Sequence, residues 1–389
     1  KKLVTTSIAI AFLVLSSCRE EPKPVLDQTA ELNKWFDDKY EEQLQMSPLG
    51  LTAQGRKDQY DKIDDLSKAA EEKELAWYTE TTNELKEKFD YDKLNDADKT
   101  SYDLWVYQYE TLKEGATFEN LDYVFDQMRG MHTRLPSYLI NFHKVDSISD
   151  MKAYISRVKE VSRGIDQLVE RAKEQAAAGN LPPKFAFTTV IAQTKSLKDG
   201  TPLLNDMNGK IDALVASEEI TAEEATSLKE ESVKVLNDYF SPSYDKLLGW
   251  LESEVDNAEE TPTGVSRHEH GKDFYNYRLK VFTTTDLTAD EIHEIGLAEV
   301  ARIKGEMMAI KEKVGFDGDL NAFFKFVNTD PQFFFPNTDE GRQGYLDEST
   351  KYLDDLTKKL PDYFGILPKA KLQVKRVEAF REQDGAPQH

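Results

Sequence analysis

A mainly α, multi-helical fold with a small amount of β near the C-terminal end is what this sequence predicts, on three observations. Apolar residues recur at three- and four-residue spacings along most of the chain, most clearly at Tyr154, Val158, Val161, Ile165, Leu168 and Ala172. Capping and stop signals punctuate these stretches, such as Thr288 with Glu291, and Gly179-Asn180 before Leu181-Pro182-Pro183. One segment alternates instead: Leu372, Val374, Val377 and Phe380 lie in 371–381, with a register break near Arg376, and this reads as a strand.

The chain opens with a basic pair, Lys1-Lys2, and a short apolar run, Ile8 to Leu15, followed by Ser16, Ser17 and the single cysteine, Cys18. The run is too short to span a bilayer and reads as a secretory signal over 1–17. Leu15-Ser16-Ser17-Cys18 resembles the bacterial lipobox. That resemblance implies cleavage before Cys18 and attachment of lipid to its sulfur. One cysteine in an exported chain makes no internal disulfide, and Arg19, Glu20 and Glu21 argue against a buried one. Residues 18–26, polar with two prolines, read as a tether. Acyl chains then anchor the protein in the bacterial envelope without a spanning helix. Arg19 is compatible with outer-membrane delivery, facing the periplasm.

The body, 27–389, reads in order as follows. A first helix covers Asp27–Gln45, with Leu32, Trp35, Phe36, Tyr40 and Leu44 near one face, stopped by Ser47-Pro48. Gly50–Asp65 is polar and irregular. Helices follow over Lys68–Phe89 and, capped by Asn95, through Leu104, Trp105, Tyr109 and Leu112 to Gly115. Residues 118–148 read as strand or helix. Then come a long helix over Asp150–Ala178 with Ser149 as its cap, one over Phe185–Leu197, and one over Ala222–Tyr239 broken by Ser241-Pro242. Tyr244, Leu247, Leu248 and Leu251 stripe the next. The Thr288–Glu291 capping box opens a helix carrying Ile292, Gly296, Glu299, Val300, Ile303, Met307, Ile310 and Val314. Gly296 inside it costs about 1 kcal/mol against alanine, which points to close packing or to a surface position. Asp319 caps a brief helix through Phe323, Phe324 and Phe326, and Thr338 caps a last one over Asp339–Leu360.

Composition narrows the function. Lys plus Arg number 50 against 72 Asp plus Glu, a formal charge of -22, which excludes a nucleic-acid partner and broad contact with anionic lipid. With 39% hydrophobic residues, 17 Tyr and 20 Phe, the chain has material for a real core.

Metal-like histidines are few and poorly spaced. His132 and His143 are eleven apart, unsuited to one helical face. His268-Glu269-His270 would share a face only on a strand, and Gly264 and Gly271 secure none. His293-Glu294 has no second ligand a turn away. Phe333-Phe334-Phe335 reads as core packing, with an apolar groove as the alternative. No catalytic, cofactor-binding or metal residue is assigned.

Ser47-Pro48, Tyr154–Leu168 with Arg163-Gly164, Leu181-Pro182-Pro183, Phe282–Ile303, Phe316-Asp317-Gly318 and Leu360–Gly365 together resemble the bacterial DUF885 family, similar to zinc-dependent peptidases. The resemblance implies a zinc-peptidase-like helical scaffold. It also implies an H-E-x-x-P-G-H helix and an acidic metal ligand lying beyond His389, with zinc and a peptide substrate belonging to a longer parent. The unpartnered terminal strand and a first residue, Lys1, that is not methionine agree with an N-terminal portion truncated before a catalytic helix. A complete helical protein with a loose polar tail is the alternative. Two functions follow: the helical groove wall of a lipid-anchored zinc peptidase, or a non-catalytic peptide-binding or structural envelope lipoprotein.

Overall fold

The computed structural model describes residues 28–376. Helices α1 (Thr29–Gln45), α3 (Lys68–Lys88) and α4 (Asp96–Gly115) form a first unit, with a short α2 (Pro48–Ala53) following α1. Its core is aromatic: Leu32, Trp35, Tyr78, Leu85, Phe89, Leu94, Trp105 and Tyr109 are buried together. The Trp35 and Trp105 rings meet edge to face at 5.0 Å, a geometry that adds to the gain from burying their area.

The second unit is built around α6 (Ile148–Ala177), 30 residues long. Its apolar stripe is fully used: Met151, Tyr154, Val158, Val161, Ile165, Leu168, Val169 and Ala172 are all buried. Helices α5 (Met131–Phe142), α7 (Lys184–Leu197), α8 (Thr201–Ala216), α9 (Ala222–Val235) and α10 (Ser241–Glu254) complete this unit. Residues 118–148, ambiguous in sequence, give a 3-10 turn (Ala116–Leu121), a loop and α5. Helix α8 was not foreseen. Pro202 sits in the first turn of α8, where its missing N–H costs nothing.

The expected break at Ser241-Pro242 is not a break. A π turn, Leu236–Phe240, joins α9 to α10 without interruption. The wider turn accommodates the proline ring and its absent donor. Phe240 and Tyr244, stacked at 4.2 Å and both buried, hold the junction in the core. The cap of α6 is Ser147 rather than Ser149: Ser147 Oγ accepts from Asp150 N at 3.3 Å and donates to Asp150 Oδ2 at 2.9 Å.

Helix α11 (Gly271–Thr283) lies against α4 and the 3-10 turn: the Tyr277 hydroxyl donates to Thr111 O at 3.1 Å, and Phe118, Phe274 and Tyr277 cluster. Helices α12 (Ala289–Lys313), α13 (Leu320–Thr329) and α14 (Asp339–Thr357) follow. Ala258 is the last residue of either buried apolar cluster. Neither α12 nor α13 has a buried residue, and α14 buries only Gly341.

The β expectation is corrected. No strand occurs among the described residues, and 371–376 are irregular; Val377 and Phe380 lie outside them. A period-two pattern makes a strand only against a partner, and 371–376 have none among the described residues.

Candidate functional site

A cleft of about 840 Å³ opens where the end of α1, the start of α2, the segment 59–66, the first half of α3 and Arg171 of α6 converge. A polar stripe on α6 fixes its position. Arg163, Gln167 and Arg171, four residues apart, face one way on that helix. Arg163 donates to Asp64 O at 3.1 Å, Gln167 to Asp65 Oδ1 at 2.8 Å, and Arg171 to Leu66 O at 3.2 Å. Arg171 also pairs with Glu71 of α3 at 2.6 Å.

The opposite wall hangs on Asp64. One carboxylate oxygen accepts from Ser47 Oγ at 2.9 Å and the other from Leu49 N at 3.0 Å. Ser47 also caps α2, accepting from Gly50 N at 3.0 Å. Behind this wall stands Arg157, wholly buried on the apolar stripe of α6. Its guanidinium donates to Lys62 O at 2.9 Å, Pro48 O at 3.2 Å, Thr52 Oγ1 at 2.6 Å and His143 Nδ1 at 3.1 Å. It also lies 4.7 Å from the centre of the Tyr60 ring. Both ends of the segment 48–62 are thereby tied to one cation.

Inside the cleft, Lys62, Lys73 and Glu74 carry charged ends with no ion-pair partner among the described residues. Desolvation by the walls, with Glu71 and Asp64 nearby, raises the Glu74 carboxyl pKa. No histidine or cysteine lines the cleft, and its serine hydroxyl is committed to Asp64. The site therefore offers donors, acceptors and both signs of charge, without a nucleophile–base pair.

The residues singled out in the sequence lie elsewhere. Cys18 is outside the described residues. His132 is buried, with Nε2 2.9 Å from Gln193 Oε1; His143 is buried, donating from Nε2 to Asp150 O at 3.0 Å. Burial lowers their pKa values to about 4 and about 3. They have separate partners and form no shared site. His268 receives a hydrogen bond from Arg267 at 3.0 Å, and Arg267 also pairs with Glu259 and reaches Leu181 O at 3.1 Å. That loop seats the start of α11. His293 and Glu294 are exposed on α12. No group of three or more His, Cys, Asp or Glu that could hold a metal occurs among the described residues.

The phenylalanines do not form the expected core. Phe316, Phe323, Phe326 and Phe333 touch one another, but Phe333, Phe334 and Phe335 are each about half exposed at 48%, 55% and 47%. Nothing lies within 4 Å of a Cβ built on Gly296, so it occupies a surface position. The cleft was missed in sequence, although two signals were present: the charged side chains of 58–65 and an arginine, Arg157, among the apolar positions of α6.

The family model for "Bacterial protein of unknown function (DUF885)" matches residues 48–389. The chain belongs to the DUF885 family. A solved structure titled "The crystal structure of the putative lipoprotein from Colwellia psychrerythraea" superposes on the DUF885 chain with a TM-score of 0.79 at 20% identity. The match covers 93% of this chain and 64% of that one, so the chain spans somewhat under two thirds of the relative's length. No curated protein matches.

These findings correct the zinc-peptidase reading. The DUF885 match runs across 48–389, and its description assigns no chemistry. Among the described residues the histidines are dispersed into core packing, a loop corner and an exposed helix, and the metallopeptidase and hydrolase expectations are not borne out.

Proposed function

We infer that this DUF885 protein is a non-catalytic envelope lipoprotein whose helical body binds short polar peptides. The cleft between α1, α3 and α6 carries this reading. It is roomy enough for a few residues of extended chain, and Gln43, Ser47, Lys73 and Glu74 line it beside the apolar Met46, Ile63 and Leu66. The Lys73 ammonium and the Glu74 carboxylate match the two termini, or the charged side chains, of a peptide. With no nucleophile–base pair beside them, the bound chain is held and released intact.

On the same reading, residues 1–17 are removed, Cys18 carries the lipid, and 18–26 let the body stand off the membrane, facing the periplasm. No helix among the described residues is long and apolar enough to cross a membrane. The Colwellia relative has the same fold, and the words "putative lipoprotein" in its printed title support the anchor.

The test uses the full chain purified from membranes in detergent. Mass spectrometry of its N-terminus should find lipidated Cys18. A tetrapeptide library should be retained and recovered uncleaved, with retention falling at least five-fold in Lys73→Ala and in Glu74→Gln. No retention by the parent protein, or retention unchanged in both variants, overturns the peptide-binding reading.

A further inference from the structure

The cleft between α1, α3 and α6 does not end at Glu74. A second hollow, of about 490 Å³, continues it along α3 and shares Gln45 and Met46 with it. Ala69, Ala70, Lys73 and Glu74 of α3 line the cleft, and Trp77, one turn further on, lines the hollow. From Ala69 to Trp77 the helix rises about 12 Å, the length of about four residues of extended chain. A peptide lying in the cleft along α3 therefore carries a side chain into the hollow.

The hollow has a floor and a rim of different chemistry. Its apolar side chains, Met46 and Trp77, are half-buried; the others, Asp38, Glu41, Glu42 and Gln45, are exposed. The Trp77 ring is fixed before any ligand arrives. Its indole N–H donates to Glu42 Oε2 at 3.1 Å, and its centre lies 4.9 Å from that of Tyr78 and 5.7 Å from that of Trp105. A platform held in this way loses little freedom on binding. Lys34, Lys39 and Arg56 pair with the three carboxylates, yet none of these cations lines the hollow. Surface pairs of this kind contribute little, so a ligand cation can share the same oxygens.

A side chain that suits both floor and rim has an apolar stem and a cationic tip. A leucine or phenylalanine covers the floor and leaves the rim unused, and an acidic side chain meets like charge. The face of tryptophan itself attracts a cation. The formal charge of -22 on the whole chain draws a cationic ligand towards it.

We propose that the peptide held in the cleft carries a lysine or arginine, whose stem lies on Trp77 and Met46 and whose cationic end reaches Asp38, Glu41 and Glu42. This rests on the reading of the cleft as a peptide site, and it adds a selectivity which that reading does not contain.

The test uses the full chain purified from membranes in detergent, and alanine tetrapeptides carrying lysine at each position in turn. Their twins carry norleucine, which keeps the stem and lacks the ammonium. At one position lysine should bind about five-fold more tightly than norleucine, with arginine behaving as lysine does. Asp38→Asn/Glu42→Gln keeps the size of both side chains; it should erase that difference and leave the norleucine peptides unchanged. Trp77→Leu, with the circular dichroism of the parent, should weaken the lysine peptide by about three-fold or more. If lysine and norleucine bind alike at all four positions while the tetrapeptide library is still retained, the proposal falls and the peptide-binding reading stands. A lysine preference that survives Asp38→Asn/Glu42→Gln also overturns it. If no peptide is retained at all, both fall.

Discussion

Replacing Arg157 by methionine should remove about 3–5 kcal/mol of stability and loosen one wall of the cleft. The guanidinium is fully buried and makes four hydrogen bonds, to Pro48 O, Thr52 Oγ1, Lys62 O and His143 Nδ1. Hydrogen bonds to a charged donor contribute roughly 1.5–3 kcal/mol each, giving a gross loss of about 6–12 kcal/mol. Removing the cation also relieves its own desolvation, several kcal/mol, which is felt here as a lowered pKa caused by burial. The apolar stem of methionine fills much of the same space, so the cavity term is small. What remains is the cost of leaving four acceptors dry, hence the 3–5 kcal/mol. Lysine should recover little, because one ammonium cannot reach acceptors spread over two segments. Urea unfolding followed by circular dichroism measures the loss, and hydrogen exchange over residues 48–66 measures the wall. A loss below about 1 kcal/mol with unchanged protection of 48–66 would refute the reasoning.

Acid should weaken the fold before carboxylates titrate. His132 and His143 have folded pKa values of about 4 and about 3, against roughly 6.5 when unfolded. Between about pH 6.5 and 4 the unfolded chain therefore binds more protons, so stability falls as pH falls. The slope approaches two protons, about 2.7 kcal/mol per pH unit, near pH 5.5; unfolding curves from pH 7.5 to 5.5 that coincide would contradict this, and His132→Gln should halve the slope. Gly271→Ala should undock α11, because a Cβ there collides with the Val265 carbonyl; the expected cost is about 1–3 kcal/mol, read as lost exchange protection at Thr111 and Tyr277. Dialysed protein should hold no stoichiometric zinc by elemental analysis; one zinc per chain, lost in His268→Ala/His270→Ala, would reverse the reading of that loop.

Caps and periodicity were legible because they act over three or four residues. Asn95, Thr288 with Glu291, Asp319 and Thr338 each cap the helix expected of them, through bonds to a backbone N–H three residues on. The α6 stripe Tyr154, Val158, Val161, Ile165, Leu168 and Ala172 was read for the same reason, without the buried Met151, Arg157 and Val169. The choice of Ser147 over Ser149 lay beyond such rules, since it depends on Asp150, whose carboxylate is also held by Lys57 at 2.8 Å from 93 residues away. Proline at 242 promised a break, and packing of Phe240 and Tyr244 against the core overrode it.

By itself the sequence determined where most of the long helices run, where several of them start, and which face of α6 is apolar, because those are local properties of backbone and side chain; α2, α5, α8 and α11 were not read from it. Only the tertiary structure decided which of those faces are covered. The stripes of α6 and α12 obey the same helical periodicity, yet one is the centre of the core and the other stands in solvent. Periodicity records that a face gains from burial; whether anything lies against it is fixed by contacts far apart in the chain. The cleft is of the same kind. Lys62, Asp64, Lys73, Glu74 and Arg171 are ordinary surface residues in sequence. They meet only because Arg157, Arg163, Gln167 and Arg171 bind the segment 48–66 along α6.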